Sequence, residues 1–183
     1  NYVYGQHNCL NMAYPPIVAT GDSGCCLHYL ASTRELKDGE LVLIDMGEEY
    51  QYYTSDITRT FPVNGKFNEE QTAIYELVLS VQEKIVAMVK PGLPFNEMQD
   101  KTAEFITDGL LELGILKGNK ETLMAEKAYT EFYPHRSGHW LGIDVHDVSH
   151  YQIDGEWRNL EAGMVLTVEP GIYIREENFG CRL

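Results

Sequence analysis

Gly39-Glu40-Leu41-Val42-Leu43-Ile44-Asp45-Met46-Gly47 can be laid over Gly163-Met164-Val165-Leu166-Thr167-Val168-Glu169-Pro170-Gly171. Each segment has a glycine, a run of mostly apolar residues, an acid six positions after that glycine and a second glycine two positions later. Tyr50 follows the first segment and Tyr173 the second. Histidine segments precede both, with His28 in the first half and His139 and His146 in the second. Continuous apolar runs of this length predict strands buried on both faces. A carboxylate that ends such a strand must be paired or bound to a metal if it is buried. The echo predicts two pseudo-symmetric halves, each a helix-plus-strands unit, facing one another with acids at their strand ends. It brings Asp45, Asp56, His139 and Glu169 to one place.

Outward from the first segment, Glu48 to Phe61 reads as a second strand region rich in Tyr, Thr and Ile. Asp56 lies in it, eleven residues after Asp45. On one straight strand that odd separation sets the two acids on opposite faces. A hairpin between them removes the objection. Two carboxylates that close repel and force one to hold its proton, and a divalent cation relieves the repulsion. The competing reading is two surface acids on unrelated strands.

Upstream, Cys25 to Tyr29 reads as a buried strand with His28 near its end, and a histidine so placed is often purely structural. Downstream, Asn68 with Gln71 resembles a capping box. It opens a helix that buries Ile74, Leu77, Val78, Val81, Ile85, Val86 and Val89 and ends at Pro91-Gly92. A second helix is expected over Phe95 to Leu113, with Met98, Phe105, Ile106, Leu110, Leu111 and Leu113 facing inward and Gly114 closing it. A third, shorter one is expected between Lys120 and Ala128. These stripes read as core. Gly163 to Val168 reads as a buried strand, and a last strand begins at Cys181 after a turn at Asn178-Phe179-Gly180.

Three histidines and two aspartates fall between His135 and Asp147, in a chain with six histidines. By itself this run also fits a solvated loop. The net charge of −14 argues against nucleic acid or an anionic membrane as partner, since both select a basic face. No apolar run approaches the roughly 20 residues of a membrane span. The four cysteines, at 9, 25, 26 and 181, lack zinc-ligand spacing and read as reduced thiols of a cytoplasmic protein. The chain begins at Asn1 rather than Met, so a signal peptide would not be visible in it.

Three carboxylates and one imidazole form a hard, mostly oxygen donor set. It suits Mn²⁺, Co²⁺ or Fe²⁺ better than a structural Zn²⁺ site. Carboxylates bridge, so such a set can hold two metals about 3.5–4 Å apart, activate a water and polarise a carbonyl. Gly-x-Ser-x-Gly and phosphate-binding glycine loops are absent.

Taken with Leu27-His28-Tyr29, Ser55-Asp56-Ile57-Thr58-Arg59-Thr60-Phe61-Pro62, the Gly138-to-Asp147 run and Val168-Glu169-Pro170-Gly171-Ile172-Tyr173, the chain resembles the proline-specific metallopeptidases of the pita-bread fold. Among them it is most similar to aminopeptidases P. The resemblance spans nearly the whole chain, in order. It implies an α+β fold like that of creatinase and methionine aminopeptidase, and a site with two Mn²⁺ ions, with Co²⁺, Fe²⁺ or Zn²⁺ as alternatives. By position, Asp45 chelates one metal, Asp56 bridges both, and His139 and Glu169 hold the other. Glu169 also acts as general base towards a bridging hydroxide. His28, His135 and His146 match active-site histidines that are not ligands, and Arg182 and Tyr173 match residues that support the ligands from behind.

The implied reaction removes the N-terminal residue from peptides with proline second. Prolidase activity on Xaa-Pro dipeptides, a non-catalytic binding module of the same fold and a mononuclear hydrolase are the rivals. In the family a glutamate that bridges both metals follows the Gly180-Cys181-Arg182-Leu183 segment, and an N-terminal domain shapes the site and a homo-oligomer. Residues 1–183 are therefore expected to be a catalytic domain without either, weak in metal binding and activity. Ser137 stands where relatives usually have an aliphatic residue or Thr.

Overall fold

The computed structural model describes residues 2–9, 11–31 and 33–183; Asn1, Leu10 and Ser32 lie outside the described residues. The chain runs through α1 (Tyr2–Gln6), β1 (Asn11–Met12), β2 (Ile17–Thr20), β3 (Leu41–Met46), β4 (Glu48–Tyr50), β5 (Tyr53–Thr54) and β6 (Ile57–Pro62). Helices α2 (Glu69–Met88), α3 (Phe95–Glu112) and α4 (Lys120–Ala125) follow, then β7 (Gln152–Ile153), β8 (Glu156–Trp157), β9 (Gly171–Ile174) and β10 (Phe179–Arg182).

β3 is the centre of the antiparallel sheet β2-β3-β6. Leu41, Val42, Leu43 and Asp45 are buried along it, as expected of a strand covered on both faces. The β4–β5 hairpin intervenes between β3 and β6. Its turn sets Gln51 and Tyr52 at φ +50° and +71°, the left-handed pair that matches the twist of a tight hairpin. The excursion returns the chain antiparallel to β3, so that Asp45 pairs with Thr58 and Asp56 arrives two residues before it. On β6, Thr58 and Thr60 turn inward while Ile57 and Phe61 face outward. That inverted alternation holds two hydroxyls against the β9–β10 hairpin: Thr60 Oγ1 donates to the Arg182 carbonyl at 2.8 Å.

The core lies where α2 and α3 pack together. Val78, Val81, Ile85, Ile106 and Leu110 are fully buried with Ile172 and Cys181 of the hairpin. Each large apolar side chain so buried contributes about 1.5–3 kcal/mol. The capping box of α2 is present, with Gln71 N donating to Asn68 Oδ1 at 2.8 Å and Asn68 N to Gln71 Oε1 at 3.0 Å. Gln71 Nε2 also donates to the Gly39 carbonyl, which ties the helix to the turn before β3. Among the described residues no helix is long and apolar enough to cross a membrane.

Several expectations are corrected. Cys25 to Tyr29 is not a strand: a 3₁₀ turn over Gly21–Cys25 is followed by a turn at Leu27-His28, and His28 is exposed. Ser23 Oγ accepts from Thr20 N and donates to Thr20 O, closing the chain before a strand can form. Glu48 to Phe61 divides into three strands. Gly163 to Val168 is not a regular strand: Gly163 closes a turn at φ +94°, Leu166 makes only an isolated bridge to Trp140, and Val165 is exposed. Its hydrogen bonds go to the histidine run, from Leu141 N to Val165 O, Thr167 N to His139 O and Glu169 N to Ser137 O. Val86 and Leu113 are exposed, because α2 and α3 bury narrower stripes than their apolar content allows. The last strand begins at Phe179, after Asn178 alone takes the left-handed turn position.

Candidate metal centre

Asp45 ends the buried strand β3, Asp56 leads into β6, His139 stands on the run after α4, and Glu169 leads into β9. Donor atoms of Asp56, His139 and Glu169 lie within 4.8 Å of one another. His139 Nε2 is 3.2 Å from both Asp56 Oδ2 and Glu169 Oε1. Its Nδ1 is 2.9 Å from the Trp140 carbonyl. A carbonyl only accepts, so Nδ1 carries the proton and Nε2 is aimed between the acids. Thr167 locks the arrangement, since its hydroxyl donates to Glu169 Oε1 at 2.9 Å and accepts from His139 N at 3.0 Å.

Asp45 joins this cluster through Tyr14, whose hydroxyl contacts both Asp45 Oδ1 and, at 2.9 Å, Asp56 Oδ1. One hydroxyl carries one proton and cannot satisfy both acceptors. Burial pushes Asp45 above the usual carboxylate range, by more than Tyr14 and the Arg182 guanidinium pull it back. Burial pushes Asp56 the same way, but hydrogen bonds from His139 and Tyr14 hold it below that range. The pair splits, as two carboxylates in one site must. Burial likewise opposes Glu169, and His139 overcomes it to hold that carboxyl low. Burial pulls His139 down, yet its bonds to Asp56 and Glu169 prevail and raise it to about 10. Without a metal the imidazolium supplies the positive charge that the acids require.

Arg182, 4% exposed, pairs with Asp45 Oδ2 and donates Nε to Thr58 Oγ1 at 3.2 Å and Nη1 to the Tyr173 hydroxyl at 3.4 Å. Tyr173 is buried, and its hydroxyl lies 2.9 Å from His135 Nε2. Burial pushes that hydroxyl up to about 12 and His135 below its ordinary value, so the two meet as neutral groups. The His146 ring stands edge-on to His139, 4.4 Å between centroids. His28, His135 and His146 line one cavity of about 480 Å³ with His139, Glu169 and Arg182. Two glycines next to site residues leave no space for a side chain. A Cβ on Gly47 would overlap the Ser55 carbonyl, and one on Gly138 would overlap the Thr167 carbonyl.

Six of the residues singled out from sequence, His28, His135, His139, His146, Glu169 and Arg182, line this cavity, whereas Asp45 and Asp56 adjoin it through Tyr14 and His139, and Tyr173 is buried behind His135. Tyr14 and Thr167 were not singled out. Nothing distinguishes Tyr14 among twelve tyrosines except Pro15-Pro16 after it, which disfavours a helical conformation there. Replacing Tyr14 by Phe is expected to leave a buried aspartate oxygen unsatisfied. Urea unfolding of the full-length protein in chelator should show a loss of about 1–3 kcal/mol, and an unchanged midpoint would refute the bridging role.

The sequence profile described as "Metallopeptidase family M24" matches residues 1–183. The Xaa-Pro aminopeptidase of Haemophilus influenzae is 51% identical over 174 residues, covering 95% of this chain and 40% of the relative. That of Escherichia coli is 47% identical over 174 residues, covering 95% and 39%. Among solved structures, Pseudomonas aeruginosa aminopeptidase PepP superposes with a TM-score of 0.96 at 48% identity, covering the whole of this chain and 43% of that one. A zinc-substituted E. coli aminopeptidase P in complex with product superposes with a TM-score of 0.94 at 44% identity, covering 100% and 43%. The chain spans about 40% of the length of the curated relatives it matches.

Proposed function

The chain belongs to metallopeptidase family M24 and has its α+β pita-bread fold, and from that premise we propose that residues 1–183 are a catalytic domain of an enzyme that removes the N-terminal residue from peptides with proline second. The observation that carries the reading is the convergence of Asp56, His139 and Glu169 within 4.8 Å, with Asp45 beside them. The donor set fits a divalent metal. It is rich in oxygen, its one imidazole presents Nε2 with Nδ1 anchored on a carbonyl, and its acids now depend on a protonated histidine for charge.

Asp45, Asp56, His139 and Glu169 would hold two ions, Mn²⁺ by preference. Bound there, the metals supply Lewis acidity, lowering the pKa of a water and polarising the scissile carbonyl. The remaining work falls to the chain. Glu169, held ionised and oriented by Thr167, takes up a proton as general base. His146 and His28, on the cleft wall, donate to the carbonyl oxygen or the leaving amine as charge develops. His135, kept neutral and fixed by Tyr173, orients the peptide. Arg182 holds Asp45 in place from behind. The reading includes a cytoplasmic, homo-oligomeric full-length protein.

The test is release of the first residue by the metal-loaded, full-length protein from an Xaa-Pro-Yaa peptide, an Xaa-Ala-Yaa peptide and an Xaa-Pro dipeptide. Mn²⁺-dependent cleavage of the first alone is expected. Cleavage confined to the dipeptide would replace this activity with that of a prolidase. No cleavage with any divalent metal would sink the peptidase reading.

A further inference from the structure

Arg136 lines the same 480 Å³ cavity as His139 and Glu169. It differs from the other arginine there. Arg182 is buried and committed to Asp45, whereas Arg136 is exposed. Among the described residues no carboxylate forms an ion pair with it. Arg59 and Arg175 have no ion pair among the described residues either, so what marks Arg136 is its place on the wall of the cavity that Glu169 also lines.

The guanidinium is nonetheless held. Its central carbon stands 6.0 Å from the Tyr151 ring centroid and 5.9 Å from that of Trp157, a platform that suits a planar cation. Tyr151 is stacked on buried Trp140 at 5.7 Å and edge-on to buried Phe95 at 4.8 Å, so the platform is rooted in the core. The backbone is pinned on both sides. The Arg136 carbonyl accepts from His135 Nδ1 at 2.8 Å, and Ser137 N donates to Gln99 Oε1 of α3 at 2.7 Å. The backbone is thus fixed, and the two rings give the exposed guanidinium a favoured place to lie.

A peptide in this cleft brings its own negative terminus towards Asp45, Asp56 and Glu169. Two extended residues beyond the scissile bond span about 7 Å. An Xaa-Pro-Yaa peptide therefore sets its terminal carboxylate about 7 Å from the scissile bond, a reach on the scale of a 480 Å³ cavity. A fork of guanidinium donors on the wall matches a carboxylate in shape and charge.

We propose that Arg136 is a specificity-determining residue that receives a carboxylate at the position after proline, either the C-terminus of a short peptide or an acidic side chain there. The proposal rests on the peptidase reading and deepens it: the favoured substrates are short free-acid peptides or ones with an acid at the third position.

The experiment compares kcat/KM for Ala-Pro-Ala, Ala-Pro-Ala-amide and Ala-Pro-Glu-amide in the metal-loaded, full-length protein, with Arg136→Gln and Arg136→Lys beside wild type. Wild type is expected to favour the free acid over the amide by about tenfold, the size of one partly exposed charge-assisted contact. In Arg136→Gln the ratio should fall to about twofold or less, chiefly through KM, with Arg136→Lys between, because it keeps the charge and loses the fork. If Ala-Pro-Glu-amide is cleaved like the free acid, a side chain supplies the carboxylate; if it lags with the plain amide, the C-terminus does. The wild-type ratio should also shrink as salt is raised, a readout that needs no variant. A ratio near one in wild type, or one unchanged in Arg136→Gln, overturns the proposal and leaves the peptidase reading standing. Failure of wild type to cleave all three peptides overturns both.

Discussion

Replacing Asp56 by Ala in the full-length protein is expected to lower kcat/KM for an Xaa-Pro-Yaa peptide by about a thousandfold or more, the roughly 4 kcal/mol at stake when Lewis-acid stabilisation is lost. Asp56 is the residue through which the two sides of the site meet. One oxygen faces His139 at 3.2 Å, and the other faces Tyr14, the hydroxyl shared with Asp45. Without it Asp45 is left on one side and the His139–Glu169 pair on the other. Metal content after equilibration with a weak chelator should therefore fall together with activity. Asp38→Ala, on an exposed turn before β3, serves as the control and should change neither. Asp56→Ala protein with full metal content and more than about a tenth of wild-type activity would show that the ligand set has been misread.

Why this centre could be approached from sequence is itself physical. Leu41 to Ile44 is a run that only a doubly covered strand tolerates, and it delivers Asp45 to the strand's end. The hairpin needed to bring Asp56 back is the one that forms at Gln51-Tyr52. The capping box fixed the start of α2 because both of its hydrogen bonds are local. What escaped was set by distant partners. Val165 to Thr167 has the composition of a buried strand, but its ladder runs to Leu141 and His139, across a loop that no periodicity encodes. Cys25 to Tyr29 is apolar enough for a strand, yet Ser23 folds the chain back on Thr20 first. Tyr14 and Thr167 act through single hydroxyls, and a hydroxyl's importance depends on what faces it. Arg136 gains interest only once Tyr151 and Trp157 are seen beneath it and Glu169 is seen on the same cavity wall.

Removing the Arg182 guanidinium is expected to cost more in the metal-free protein than in the loaded one. Arg182 and Asp45 are 4% and 8% exposed, and they are paired. Taking away one partner of a buried pair leaves the other as an uncompensated charge, and such losses run to about 3–5 kcal/mol. Arg182→Met keeps most of the stem's volume, so urea unfolding in chelator should report mainly the missing charge, together with the lost contacts to Thr58 and Tyr173. A divalent cation held beside Asp45, as proposed, would supply the charge from the other side, so the same variant saturated with Mn²⁺ should lose markedly less relative to loaded wild type. The double variant Asp45→Asn, Arg182→Met separates charge from packing. If the orphaned carboxylate carries the cost, the double variant is more stable than Arg182→Met alone in chelator, and the coupling energy of the cycle is large. If it is no more stable, the loss lies in the hydrogen bonds to Thr58 and Tyr173, and the pair matters for orientation alone. A single-variant loss below about 1 kcal/mol, the scale of an exposed pair, or an equal loss with and without metal, would show that Arg182 does not balance Asp45. Its position behind the site would then serve Tyr173, and through that hydroxyl His135, rather than the metal-facing acids.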